Sequence, residues 1–257
     1  MATYQDLALR LRGAYGGAVV APLRDGLAPD DADGAYAVQA VNTAFWAAQG
    51  RQIVGRKIGL TSPAVQRQLG VDQPDFGVLF ADMAVQNNAQ VEPSSLIQPK
   101  AEAEVALVLA SDVDAPDCTM QDIAAATDYA VAAIEIVDSR IADWNITFAD
   151  TVADNGSSAL FVLGDEKKPV AGLDLYSCGM VLEINQNIAS VGAGAACLGH
   201  PMRAAAWLAR TMAARGAPLQ AGDIVMTGAL GPMVALTPGD HVTAHIGGVG
   251  SCSFHYS

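Results

Sequence analysis

Positive charge is scarce in this sequence. Its 14 lysines and arginines stand against 27 aspartates and glutamates, a formal net charge of −13, and no long basic run offsets the imbalance. A phosphate backbone would be repelled over most of such a surface, which argues against nucleic acid as a partner. Cysteine is sparse as well: Cys118, Cys178, Cys197 and Cys252 lie far apart and form no CxxC pair. Neither a zinc knuckle nor a disulfide framework is suggested, and reduced thiols of a cytoplasmic protein are the simplest reading. No window approaches the roughly 18 uninterrupted apolar residues of a membrane-spanning helix. The opening stretch MATYQDLALRLRGAYGG carries charges where a signal peptide has its apolar core. The expected location is therefore the cytoplasm, with no membrane partner. Internal repeats and low-complexity linkers are also missing.

What is present is a well-filled interior. Hydrophobic residues make up 51% of the 257 and charged residues 16%, with 25 glycines, which excludes disorder and favours a tightly packed, loop-rich fold. A chain of this length supports one substantial core, so one catalytic domain over 1–257 is expected, with a helical layer over 1–50 and a β-rich core over 51–257. The shortage of cations has a corollary. If such a protein handles a small anionic acid, it must supply local positive charge from a few placed lysines or arginines, or from a metal ion.

Apolar spacing predicts a helix over 3–15, where Leu7, Leu9, Leu11 and Tyr15 alternate with Arg10 and Arg12 and Gly16-Gly17 ends the run. A second helix follows in ADGAYAVQAVNTAFWAAQG, capped by Asp31 or Asp33 and closed by Gly50. From residue 51 the pattern changes: RQIVGRKIGLT reads as a strand, SPAVQRQLG as a short helix and QPDFGVLF as a turn into another extended piece. AEAEVALVLA and YAVAAIEIVDS are the strongest strand candidates, with a helix-like MQDIAAATDYA overlapping the second. LFVLG, GMVLEINQNIASVG with a turn at 185–187, a helix at PMRAAAWLARTMAARG, and the strands DIVMTGAL, HVTAHIGG and SCSFHYS complete the chain. The order lacks regular βαβα alternation, so the fold class is α+β.

The most informative short segment is Glu102-Ala103-Glu104, at the start of an otherwise apolar strand. Strand alternation points both carboxylates the same way, with Cα atoms roughly 6–7 Å apart. A third carboxylate, Glu135, interrupts the apolar run VAAIEIV and needs a cation partner if it is buried. If the two strands are neighbours, all three converge on one hard divalent ion, Mg²⁺ or Mn²⁺. The competing reading makes Glu102 and Glu104 a wet strand end and pairs Glu135 with an arginine such as Arg140.

Lys57 lies between Gly55 and Gly59, and alternation sends Arg56 and Lys57 to opposite faces, so one of them points inward. An inward lysine beside a metal-bound oxo acid holds a carboxylate or enolate oxygen, or shuttles a proton if burial and the cation lower its pKa. The alternative is a solvated strand lysine. Asp75, in QPDFG, reads either as a turn or cap aspartate or as a general base that activates water. The glycine-rich stretches VGAGAAC, TGALGPM and GGVGS lack the context of a nucleotide site. Cys197 near His200 suggests thiol chemistry only weakly, because GHP before a helix reads as a structural turn.

The stretches APLRDGL, GRKIGLTSPAVQRQLGVDQPDFGVLFADM, QPKAEAEVALVL, IEIVDSRIADWNITFADTVADNGSS, CLGHPMRAAAWLAR and GDIVMTGALGPM together resemble the 2-keto-4-pentenoate hydratase family of the fumarylacetoacetase-like superfamily. The likeness runs from about residue 20 to the C-terminus. It implies a mixed, strongly curved β-sheet with helices outside, and assembly into homo-oligomers. It further implies a divalent ion on Glu102, Glu104 and Glu135, with Lys57 and Asp75 facing the substrate and Ser157 in a loop lining the same pocket. The implied reaction is hydration of 2-hydroxypenta-2,4-dienoate to 4-hydroxy-2-oxopentanoate.

Sister reactions on the same scaffold are decarboxylation of 4-oxalocrotonate and hydration of longer dioates. A non-catalytic subunit-activator is a reading of a different class, and the presence of every implied site residue counts against it. Association with a sister decarboxylase or a downstream aldolase is a further expectation of the resemblance.

Overall fold

Among the described residues, five of the helices begin at side chains that cap their own first turn. The computed structural model describes residues 2–257, the side chains of residues 68 and 69 excepted. Its elements run α1 (Tyr4–Ala14), α2 (Ala32–Ala48), β1 (Ile53–Gly59), α3 (Pro63–Leu69), β2 (Asp75–Phe80), the short strands β3 (Ala84–Val85) and β4 (Gln90–Val91), and β5 (Lys100–Leu109). They continue with α4 (Met120–Ala126), β6 (Thr127–Val137), α5 (Phe148–Ala153), β7 (Ser158–Leu163), β8 (Gly179–Ile184) and β9 (Asn187–Ala193). The chain finishes with α6 (Pro201–Ala214), β10 (Ile224–Ala229), β11 (Val234–Ala235), β12 (Asp240–Ile246) and β13 (Gly250–Tyr256). Thr3 with Asp6, Thr119 with Asp122 and Thr147 with Asp150 form reciprocal capping boxes, and Asp31 rather than Asp33 caps α2. Among the described residues no helix is long and apolar enough to cross a membrane.

The strands form two mixed sheets, as the α+β class requires. The larger has the order β2-β1-β10-β5-β6-β7-β3, with β11 also pairing with β5; the smaller has the order β4-β13-β12-β8-β9. The β1–β10, β3–β7 and β4–β13 pairs are parallel and the others antiparallel. The large sheet is strongly curved. Leu79 and Phe80 from β2 and Phe161 from β7 share one apolar cluster with Ala106, Val131, Ala133 and Met226 of the strands between them, so side chains from strands far apart in the order meet inside the curl.

Alternation then sorts β5. Ala101, Ala103, Val105 and Leu107 face outward into the main core with Leu182, Val242, Ala244 and Phe254 of the second sheet. Ala106 faces inward, and Glu104 and Glu102 continue its row. The helical layer joins the core through Leu7, Leu11 and Leu23, and Gln39 of α2 donates to the carbonyls of Phe76 and Val152 at 3.0 and 2.9 Å. Helix α5 and the three two-residue strands are additions to the elements expected from the sequence.

Arg140 does not pair with Glu135. Its guanidinium is buried against Asp154: Nε donates to Asp154 Oδ1 at 2.7 Å, Nη2 to the Asp154 carbonyl at 2.6 Å and Nη1 to the Ser158 carbonyl at 3.0 Å. The Arg140 backbone N–H donates to Asp154 Oδ2 at 3.0 Å, which completes a clasp holding the 154–158 loop to the end of β6. Removing one partner leaves a buried charge uncompensated. Asp154→Ala is therefore expected to cost about 3–5 kcal/mol, measurable as a lowered urea midpoint, and a midpoint within experimental scatter of the wild type would refute the clasp.

Candidate metal centre

Strands β5 and β6 pair in a register that sets Glu102 directly opposite Glu135, with Glu104 two residues further along the same face. One carboxylate oxygen from each of the three lies within 4.8 Å of the others. Glu104 and Glu135 are fully buried and Glu102 is half-buried. Few donors satisfy them. Glu104 Oε2 accepts the Gly228 N–H at 2.8 Å, while Glu104 Oε1 and both Glu135 oxygens have no hydrogen-bond donor among the described residues. The Gly228 contact depends on an irregularity in β10 between Met226 and Ala229, where Gly228 takes φ 108°, a value that suits glycine.

Glu102 and Glu104 hold their protons more tightly than ordinary carboxylic acids. Burial, with repulsion from Glu135, pushes Glu102 up to about 7 despite the opposing charge of Lys57. Burial and the neighbouring carboxylates raise Glu104 well above the usual range. A cluster of orphaned hard oxygens that a cation would satisfy fits a divalent ion.

Lys57 is the strand residue that points inward, 3% exposed, and Arg56 turns away. Lys57 Nζ lies 3.2 Å from Glu135 Oε1, an ion-pair distance without the angle of a hydrogen bond. Burial works against its charge, but Glu135, Asp75, Glu102 and Glu104 outweigh burial and hold the ammonium above the usual lysine range. The four carboxylates of the cluster favour the charged form, whereas the lowered pKa considered from the sequence rests on a bound cation as well as on burial.

Asp75 is neither a cap nor a turn residue but the first residue of β2, opposite Gly59 and 1% exposed. Burial raises its pKa, with Lys57 pulling it back, and its Oδ1 has no donor among the described residues. Gly59 leaves the space this carboxylate occupies, since a Cβ there would collide with it.

The 155–157 loop closes the group from the side. Asn155 is tied to β2 by two hydrogen bonds, accepting from Val78 N at 2.7 Å and donating to Val78 O at 2.9 Å. Gly156, at φ 61°, follows; a Cβ there would lie 2.6 Å from Lys57 Cε. Gly156→Ala is therefore expected to displace Lys57 and lower turnover at least about tenfold, with divalent-ion binding retained. Unchanged turnover would show that the lysine has room to spare. Ser157, buried at φ 53°, contacts Thr151 Oγ1 at 3.2 Å and Asp154 Oδ2 at 3.4 Å, so a bond to substrate requires it to exchange these partners.

Cys197 is a structural thiol. It donates to the Thr227 carbonyl at 2.8 Å, and burial pushes its pKa far up, while His200 caps α6 by accepting the Met202 N–H at 3.1 Å. Asn155 and Gly228 escaped the sequence reading. The Thr147–Asp150 capping box could have exposed α5 and hence the loop after it; the β10 irregularity has no local signal.

The family model described as fumarylacetoacetate (FAA) hydrolase, C-terminal, matches residues 53–255. The chain is 56% identical over 253 residues to 2-keto-4-pentenoate hydratase 1 of Dechloromonas aromatica strain RCB, covering 98% of this chain and 96% of that one. It is also 56% identical over 247 residues to the 2-keto-4-pentenoate hydratase of Burkholderia vietnamiensis strain G4, covering 96% and 94%. Among solved structures, 4-oxalocrotonate decarboxylase from Pseudomonas putida G7, complexed with magnesium and adipate, matches with a TM-score of 0.94 at 35% identity, over 99% and 97% of the two chains. With a family match across most of its length and close relatives across nearly all of it, the chain belongs to the fumarylacetoacetate hydrolase family, on its 2-keto-4-pentenoate hydratase branch.

Proposed function

We propose that this protein is a hydro-lyase that adds water to 2-hydroxypenta-2,4-dienoate, giving 4-hydroxy-2-oxopentanoate, in the catabolism of aromatic rings by meta cleavage. The observation that carries this reading is 56% identity, over nearly the full length of both chains, to a 2-keto-4-pentenoate hydratase. The carboxylate trio with a buried lysine beside it supports the chemistry. Residues 1–257 are read as one catalytic unit. Glu102, Glu104 and Glu135 would hold one divalent ion, Mg²⁺ or Mn²⁺, which when bound supplies positive charge against the oxygens of a 2-oxo acid.

Lys57, buried beside Glu135, donates to the substrate's 2-oxygen and stabilises the negative charge that builds there. C5 gains a proton as the 2-hydroxyl gives one up, which leaves a 3-en-2-one whose C4 accepts a nucleophile. Asp75 takes a proton from the water that adds at C4, and a proton delivered to C3 completes the balance. The enclosure of Asp75 and Lys57 keeps bulk water from competing for either position. Ser157 is assigned to the substrate side of the loop.

A second reading, decarboxylation of 4-oxalocrotonate, draws on the TM-score of 0.94 to a decarboxylase, but the 35% identity to it is well below that to the hydratases. Incubating the protein with each acid under Mg²⁺ or Mn²⁺, while following dienol absorbance and CO₂, separates the two. Loss of dienol with appearance of 4-hydroxy-2-oxopentanoate and no CO₂ is the expected result; CO₂ release from 4-oxalocrotonate as the faster reaction would reverse the assignment. Homo-oligomer formation, and association with a sister decarboxylase or a downstream aldolase, belong to the same reading and are open to light scattering and co-purification.

A further inference from the structure

Outside Glu102 on the same face of β5 stands Lys100. The β5–β6 pairing runs without a shift from Lys100↔Val137 to Glu104↔Ala133, so residues 100, 102 and 104 form one row. Glu104 is fully buried whereas Glu102 and Lys100 are both half-buried, so Lys100 stands at the more open end of that row. Its ammonium rests 4.1 Å from the centroid of the Trp144 ring. The ring is held in turn by Nε1, which donates to the Gln98 carbonyl at 2.9 Å, and by a left-handed backbone at Asp143 and Trp144, φ 58° and 52°. No ion pair found among the described residues neutralises Lys100.

We propose that Lys100, shelved on Trp144, is the receiving cation of the site: it attracts the carboxylate of an incoming 2-oxo or 2-enol acid and hands it inward toward Lys57. The proposal rests on the hydratase reading only in taking a carboxylate as the incoming group. The need for such a residue is electrostatic. A chain of net charge −13 repels an anion on approach, and four carboxylates set against Lys57 and one divalent ion leave the site itself with no excess of positive charge. A cation at a partly desolvated rim reverses the local field, where it matters for capture. The aromatic shelf suits the task, because a cation–π contact holds the ammonium in place yet is weaker than an ion pair that the substrate would have to break.

The test compares wild type with Lys100→Ala, Lys100→Arg and Trp144→Leu across ionic strength. In Lys100→Ala, kcat/KM is expected to fall about tenfold at low salt, with kcat nearly retained, and the deficit should shrink as salt rises. Lys100→Arg should recover most of the loss, and Trp144→Leu should show a smaller salt-sensitive deficit. Wild-type kcat/KM in Lys100→Ala at low salt, or a deficit independent of salt, overturns the proposal. Calorimetric titration of the Mg²⁺-loaded proteins with oxalate separates this outcome from failure of the hydratase reading. Weaker oxalate binding by Lys100→Ala, with a flatter salt dependence than wild type, supports the role even if neither acid is turned over. Equal affinities, or no oxalate binding by wild type, overturn it.

Discussion

Glu104→Gln protein is expected to lose at least about a hundredfold in turnover while its metal-free form becomes more stable. Glu104 is fully buried, one of its oxygens has no donor, and the charges nearest to it include those of Glu135 and Glu102. Without a cation, that arrangement stores repulsion. Glutamine keeps the shape and the acceptor for the Gly228 N–H but removes the charge. The gain in the metal-free protein should be of order 1–3 kcal/mol, or roughly 2–10 °C in midpoint for a chain of this size. The rise in midpoint that Mg²⁺ or Mn²⁺ produces in wild type should be lost or greatly reduced in the variant. Differential scanning calorimetry with and without ion reads both effects. A variant that keeps the full ion-induced rise would remove Glu104 from the ligand set; one whose metal-free midpoint falls would mean that the carboxylate is structurally favourable.

The second large effect is expected at Asp75. Only the addition of water demands an activated oxygen nucleophile, whereas exchange of protons at C5 is served by Lys57 or solvent. In Asp75→Asn protein, formation of 4-hydroxy-2-oxopentanoate should drop by about 10²–10⁴, while deuterium from solvent still enters C5 of the dienol at close to the wild-type rate. Asparagine is nearly isosteric and keeps the space that Gly59 leaves open, so the strand pairing of β1 with β2 should survive. Proton NMR in deuterated buffer follows both steps in one sample. Parallel loss of both steps would make Asp75 a shared proton shuttle or a residue of architecture. Normal ion binding and an unchanged thermal midpoint would then favour the shuttle.

Much of this protein was legible along the chain because the relevant signals are local. Nearly continuous apolar runs mark β5 and β6, spacing near 3.6 marks α1, α2 and α6, and a Glu-Ala-Glu triplet on a strand places two carboxylates on one face whatever the partner strand. A glutamate inside an apolar run likewise signals a buried charge in want of a partner. The resemblance of long stretches to a known family added the ligand set and the reaction, which no spacing argument supplies.

The tertiary structure decided which of these pieces meet. That Glu102 faces Glu135 depends on the register of two strands, and a shift of one residue would turn a carboxylate to the opposite face. The choice between Lys57 and Arg56 as the inward residue rested on which face of β1 curls inside. Asp75 changed from a turn aspartate to a buried strand residue because β2 begins opposite Gly59. Arg140 took Asp154 rather than Glu135 because the 154–158 loop returns to the end of β6. The Gly228 N–H reaches Glu104 only through an irregularity in β10. Each of these depends on pairings between segments that lie from 14 to more than a hundred residues apart. Hydrophobic pattern and local propensity specify which face of an element is buried, but leave open which distant charge lies across from it.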